Sequence, residues 1–130
     1  MKFPCEIITR ELLPVLRALI AKELVGRYHF TQTQTAVMLG VSQAAINYYV
    51  ESKRGTQTQK LKKVKNLDKT AKKIAETFAK GEIDYPEIFR SVCNLCIDLR
   101  GEGAICEVHE KMLPTLKRRK CRVCGEVIIS

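Results

Sequence analysis

Three pairs of soft donor residues, each with a two-residue gap, stand in the last third of this chain: Cys93-x2-Cys96, Cys106-x2-His109 and Cys121-x2-Cys124. A further cysteine, Cys5, lies near the start. A two-residue gap sets two ligand atoms on one face of a turn or helix start, close enough to share an ion. Reducing thiol pools oppose structural disulfides, so six cysteines in a chain expected to be cytoplasmic point first to metal or redox chemistry, the hyperthermophile cytosol being the exception. Cys93, Cys96, Cys106 and His109 would make a zinc site of three thiolates and one imidazole. Cys93, Cys96, Cys106 and a distant fourth cysteine such as Cys5 would suit an iron-sulfur cluster. Cys121 and Cys124, followed by Gly125, resemble a zinc knuckle and would alternatively complete an all-cysteine site with Cys93 and Cys96. Zinc would keep a small tail folded, whereas a cluster would make it a sensor.

The second constellation is polar. In Phe30 to Val50, FTQTQTAVMLGVSQAAINYYV, Thr31 followed three residues later by Gln34 is a capping-box pattern. Gly40 stands where a chain leaving a short helix needs positive φ, and Ser42 stands where a second helix needs an N-cap oxygen. These signals predict helices over about Gln32 to Leu39 and Gln43 to Val50, joined by a tight turn: a helix-turn-helix. Ile46, Tyr49 and Val50 would pack on Ala36, Leu39 and Val41, leaving Gln43, Ala44, Asn47 and Tyr48 outward. Gln43 and Asn47 carry amides that can bond adenine in pairs, and Ala44 or the Tyr48 ring can touch a thymine methyl. Ser42, Thr31, Gln32, Lys53 and Arg54 would position the backbone of double-stranded DNA.

The stretch TQTQTAVMLGVSQAAINYYVESKRG resembles the helix-turn-helix of phage-repressor-like (Xre-type) regulators. Together with PCEIITRELLPVLRALIAKELV, it is similar to a family of small archaeal transcriptional regulators carrying a C-terminal cysteine motif. The likeness covers the first half of the chain and reaches the second only through its cysteines. It implies DNA binding, and among the thiols it favours the CNLC pair and Cys106; the final CRVCG pair departs from its pattern.

Charge agrees with a polyanionic partner. The formal net charge is +9, and Lys53 to Lys80 carries ten Lys or Arg against Asp68 and Glu76. A second cluster, KRRKCR, spans Lys117 to Arg122. LPVLRALIAKELV is interrupted by Arg17 and Lys22, short of the ~20 apolar residues of a membrane span, and the start lacks an apolar signal core. No membrane partner is expected.

These residues need elements to hold them. Ile7, Ile8, Leu12, Leu13, Leu16, Leu19, Ile20 and Leu24 recur at helical spacing, with Pro14 kinking that helix or starting a new one. Thr56 or Thr58 would cap a basic helix with a stripe of Val64, Leu67, Ala71, Ile74 and Phe78, either a homodimer contact or a face packed on its own domain. Pro86 suits the first turn of a helix whose apolar face is Ile88, Phe89, Val92, Leu95, Cys96 and Leu99. A further helical stretch runs to about Leu113, with Pro114 as a break, and the chain closes on a run with strand preference.

The expectation is an all-α protein: a helix-turn-helix domain over 1–55, a basic amphipathic linker or dimerisation helix over 56–82 and a cysteine-rich extension over 83–130. Its metal ligands would be Cys5, Cys93, Cys96 and Cys106, with His109, Cys121 or Cys124 as other candidates for the fourth place and zinc or an iron-sulfur cluster as the group held. The function expected is sequence-specific transcriptional regulation, responsive to redox state or metal. The alternative is a basic zinc-stabilised scaffold or RNA-associated protein that uses charge alone. No acid–base pair, phosphate loop or nucleophile constellation points to an enzyme.

Overall fold

Pro4 brings a preset φ to the first turn of helix α1 (Pro4–Ile7), and the Glu6 carboxylate accepts the Phe3 backbone N–H at 2.6 Å. A π-helical turn, Ile8–Leu12, leads directly into α2 (Leu13–Gly26). Pro14 lacks an N–H, and in a regular helix its ring would collide with the Arg10 carbonyl; the wider π turn just before it accommodates both. The helical run therefore passes through Pro14 rather than stopping there. The structure, a computed structural model, describes residues 3–51, 66–103, 106–118 and 121–124.

His29, at φ 59°, turns the chain, and Thr31 opens α3 (Gln32–Leu39). The capping box is complete: Gln34 N–H donates to Thr31 Oγ1 at 3.0 Å, and Thr31 N–H donates to Gln34 Oε1 at 3.0 Å. The buried Thr35 hydroxyl donates to the Thr31 carbonyl at 2.9 Å, so its burial leaves nothing unsatisfied. At the far end Gly40 adopts φ 66°, while Gly40 N–H returns to the Val37 carbonyl and Val41 N–H to that of Ala36. Those paired returns satisfy the last carbonyls of α3 and aim the chain into α4 (Gln43–Glu51), where Ser42 Oγ accepts the Ala45 N–H at 3.1 Å.

Asn66 precedes α5 (Leu67–Lys80) with φ 76°. A left-handed residue cannot continue an α-helix, so the expected helix running through Val64 and Leu67 is corrected: the described helix starts afresh at Leu67. Thr56, Thr58 and Val64 lie outside the described residues. Gly81 ends α5, and Asp84 Oδ1 caps α6 (Tyr85–Gly101) by accepting the Glu87 N–H at 3.2 Å. Phe89, expected on the apolar face of α6, instead lies on the surface against Tyr85. Two short helices follow, α7 (Cys106–Met112) and α8 (Pro114–Arg118), the second begun by the proline expected as a break. The described residues contain no strand, and the final run with strand preference lies outside them. The fold is all-α, and among the described residues no helix is long and apolar enough to cross a membrane.

Packing centres on α2, which buries Val15, Leu16, Ala18, Leu19, Ile20, Ala21 and Leu24. A helix apolar on so much of its surface must be covered on more than one side. One side meets α5, through Leu67, Ala71, Ile74, Ala75 and Phe78, and α6 packs on α5, with Leu95 and Leu99 joining the same cluster. The other meets α3 and α4, where Ala21, Ala36 and Ile46 form a small close-packed cluster rimmed by Val25, Leu39, Val41, Tyr49 and Val50. The stripe on α5 thus packs on the chain's own core, and one apolar cluster draws residues from all three of the segments read in the sequence.

Two glycines on this scaffold should respond oppositely to alanine. A Cβ at Gly26 or at Gly40 would meet nothing within 4 Å, but only Gly40 holds a positive φ, +66°. Gly40→Ala should therefore lose about 1–2 kcal/mol through backbone strain alone, whereas Gly26→Ala, at the end of α2, should gain about 0.4–1 kcal/mol. Urea unfolding midpoints at constant slope would check both signs. Ile46→Ala, at a side chain 0% exposed, should cost about 2–5 kcal/mol in the same measurement.

Candidate functional site

The face of α4 opposite Ile46 carries Gln43, Ala44, Asn47 and Tyr48, all exposed, with Tyr48 66% exposed and its ring edge-on to Tyr49 at 6.2 Å. Burial of Ile46 against Ala21 and Ala36 fixes which way this face points. Ser42 and Thr31 are also exposed, and each spends its hydroxyl oxygen as a helix-cap acceptor. A hydroxyl that accepts one bond still has a proton to donate, as a phosphate contact requires. Gln32, on the first turn of α3, is half-buried. Lys53 and Arg54 lie outside the described residues.

One surface residue went unread in the sequence. Val37 is 79% exposed on α3, although it sits in the apolar run Ala36, Val37, Met38, Leu39. Helical spacing was the available signal, because Ala36 and Leu39 share the inward face and Val37 does not. On α5 the basic charge is partly matched: Lys72 Nζ lies 3.1 Å from Asp68 and Lys80 Nζ 2.7 Å from Glu76. The Lys80 hydrogen bond holds the Glu76 carboxyl below its ordinary range, and Glu76 in turn raises Lys80. Both pairs are at the surface, so they trim the positive field without contributing much stability. Lys69 and Lys73 are exposed beside them.

The thiols gather at the other end of the chain's packing, around Arg100. Cys93 and Cys96 lie one turn apart on α6, the first exposed and the second half-buried against the core. Arg100 lies one turn further, and the neighbouring buried Cys124 raises the guanidinium's already high pKa. Burial pushes the Cys96 thiol up against the opposing charge of Arg100, and Cys5, Cys93 and Cys124 add to the rise. Burial likewise raises Cys106, whose charge neighbours are Cys124, Cys121 and Glu110.

A cavity of about 450 Å³ opens between the Phe3–Pro4 start, the end of α6, α7, α8 and the Cys121–Cys124 segment. Cys106, His109, Cys121 and Cys124 all line it; Cys5, Cys93 and Cys96 do not. Of the expected set of Cys5, Cys93, Cys96 and Cys106, Cys106 lines this cavity. Among the described residues no three Cys, His, Asp or Glu side chains converge tightly enough to hold an ion. Sequence reasoning joined Cys106-x2-His109 to the pair before it, while the fold sets it beside the pair after it. Comparison with protein-family models, curated proteins and solved structures finds no match to this chain.

Proposed function

We propose that this protein is a sequence-specific DNA-binding transcriptional regulator, with α3 and α4 as a helix-turn-helix and α4 laid in the major groove. The observation that carries the reading is the polar, exposed face of Gln43, Ala44, Asn47 and Tyr48 directly opposite the buried Ile46. Such a helix offers amide and apolar contacts to base edges while its other side is held by the core. Ser42 and Thr31, at the N-termini of the two helices, would donate to phosphate, and Lys53 and Arg54, which follow α4 in the sequence, would add charge to that contact. The chain is proposed to act as a homodimer on paired half-sites, and its cysteine-rich end to hold zinc or an iron-sulfur cluster that makes DNA binding responsive to metal or redox state. No catalytic residue is assigned.

Selection of bound sequences from random duplex DNA tests the reading, with salt dependence measured in parallel. A recovered consensus is expected, and Asn47→Ala or Gln43→Ala should lose about 1–3 kcal/mol of discrimination between that consensus and scrambled duplex. Binding that recovers no consensus, with a steep salt slope unaltered by either substitution, would instead assign the chain to charge-only association with RNA or a scaffold.

A further inference from the structure

Exposed apolar residues gather on α6. Ile83, in the turn before it, is 41% exposed, and Tyr85, Phe89 and Ile97 on the helix are 49%, 61% and 43% exposed. Tyr85, Phe89, Cys93 and Ile97 follow at intervals of four, and all are exposed, so they form one stripe winding slowly along the helix. The Tyr85 and Phe89 rings lie against each other, 6.0 Å between centroids. The stripe is separate from the side of α6 that packs inward through Ile88, Val92, Leu95 and Leu99. Glu87, Arg90, Asn94 and Asp98 fall on a third, polar side. Single exposed apolar residues such as Val37 need no partner, but a continuous stripe does.

We propose that this stripe is the surface on which a second copy of the chain docks, the two α6 helices packing antiparallel about a two-fold axis level with Ser91. The inference rests on the homodimer in the function above and supplies its interface, a role the stripe on α5 cannot fill because it packs on the chain's own core.

Shape selects a second copy as the occupant. The two large rings stand in the N-terminal half of the stripe and the smaller Cys93 and Ile97 in the C-terminal half. An antiparallel copy therefore sets Phe89 opposite the partner's Cys93 and Tyr85 opposite the partner's Ile97, and the axis repeats both contacts. Large meets small along the whole seam, which is how packed surfaces fill space.

Charge agrees. The chain carries a formal +9, so two copies repel over most of their surface, whereas on α6 Glu87 and Asp98 cancel Arg90 and Arg100. An anionic membrane surface would need an excess of basic residues beside the stripe, and α6 has none.

Size sets the strength. An aromatic side chain buries about 150–250 Å², so Tyr85 and Phe89, at their exposures, each have about 100 Å² left to cover. With Ile83 and Ile97 the apolar area is on the order of 600 Å² over two copies, within the range of transient interfaces below about 1,200 Å². The free chain is thus a weak dimer that paired half-sites would complete.

The test is sedimentation equilibrium of the full chain under reductant, without DNA, over a concentration series. The average mass should rise reversibly from one chain toward two. Phe89→Glu should weaken that association about 30-fold or more, as loss of a central aromatic anchor does. Val37→Glu, at a more exposed apolar residue outside the stripe, should associate as the parent does. Circular dichroism checks that Phe89→Glu keeps its helices, and cross-linking of otherwise unaltered chains gives a reading that needs no such variant. Helices 8–10 Å apart with a rise of 1.5 Å per residue put the Cys93 Cα about 10–12 Å from that of the partner's Cys93. A short bis-maleimide should therefore give a two-chain product that Cys93→Ser loses. A chain that stays single at every concentration, equal association by Phe89→Glu and the parent, or a product unaffected by Cys93→Ser would overturn the interface. A DNA consensus recovered from such a chain would leave the DNA reading standing, and a dimer through the stripe with no consensus would remove that reading alone.

Discussion

Everything described in this protein depends on α2 being buried from two sides. Its side chains are too uniformly apolar to face water along any broad strip, so one flank is covered by α5 and the other by α3 and α4. Toward α5 the core mixes large side chains, Leu67, Ile74 and Phe78, with the fully buried Ala71 and Ala75. Toward α4 it is built of small ones, with Ala21 and Ala36 letting Ile46 approach closely. A close approach over small residues leaves little latitude in how α4 can sit, because any larger residue there would force strain rather than a shift.

That constraint orients a face without stabilising it. Gln43, Ala44, Asn47 and Tyr48 add little to the core, and Ile46, Tyr49 and Val50 hold them outward. The same arrangement accounts for the capping of both helices. α3 and α4 are eight and nine residues long, too short to persist on intrinsic propensity, so their ends are closed by side-chain oxygens at Thr31 and Ser42 and by the left-handed Gly40. Polar groups that in a longer helix would be incidental are here what keeps the helix ends satisfied.

The legible parts of the sequence were those whose chemistry is local. Thr31 with Gln34, Gly40 and Ser42 act across three or four residues, and the α3 and α4 boundaries followed from them to within one residue. The stripe on α5 was legible as a period but not as a contact, since apolar spacing does not say whether the surface meets another chain or its own core. Asn66 broke the expected helix because asparagine tolerates a left-handed φ that spacing does not reveal. The partition of the thiols was least legible of all. Cys106 lies closer in sequence to Cys96 than to Cys121, yet the turn at Gly103 and the restart at Pro114 fold it toward the later pair.

The fold also limits how the two ends of the molecule can influence each other. Cys96 packs beside Leu95 and Leu99, which share a cluster with Leu16, Leu19 and Ile20 of α2, and Ala21 of the same helix meets Ile46. From thiols to the outward face of α4 there is thus one helix, reached through one layer of close-packed side chains. Packed cores deform little and do not transmit by continuous flexing, so such a path carries a signal only if one of its elements has two discrete positions. The regular helices α2 and α6 offer no obvious second position. Within the helical run Pro4–Gly26, which carries Cys5, the π turn at Ile8–Leu12 is the departure from α geometry.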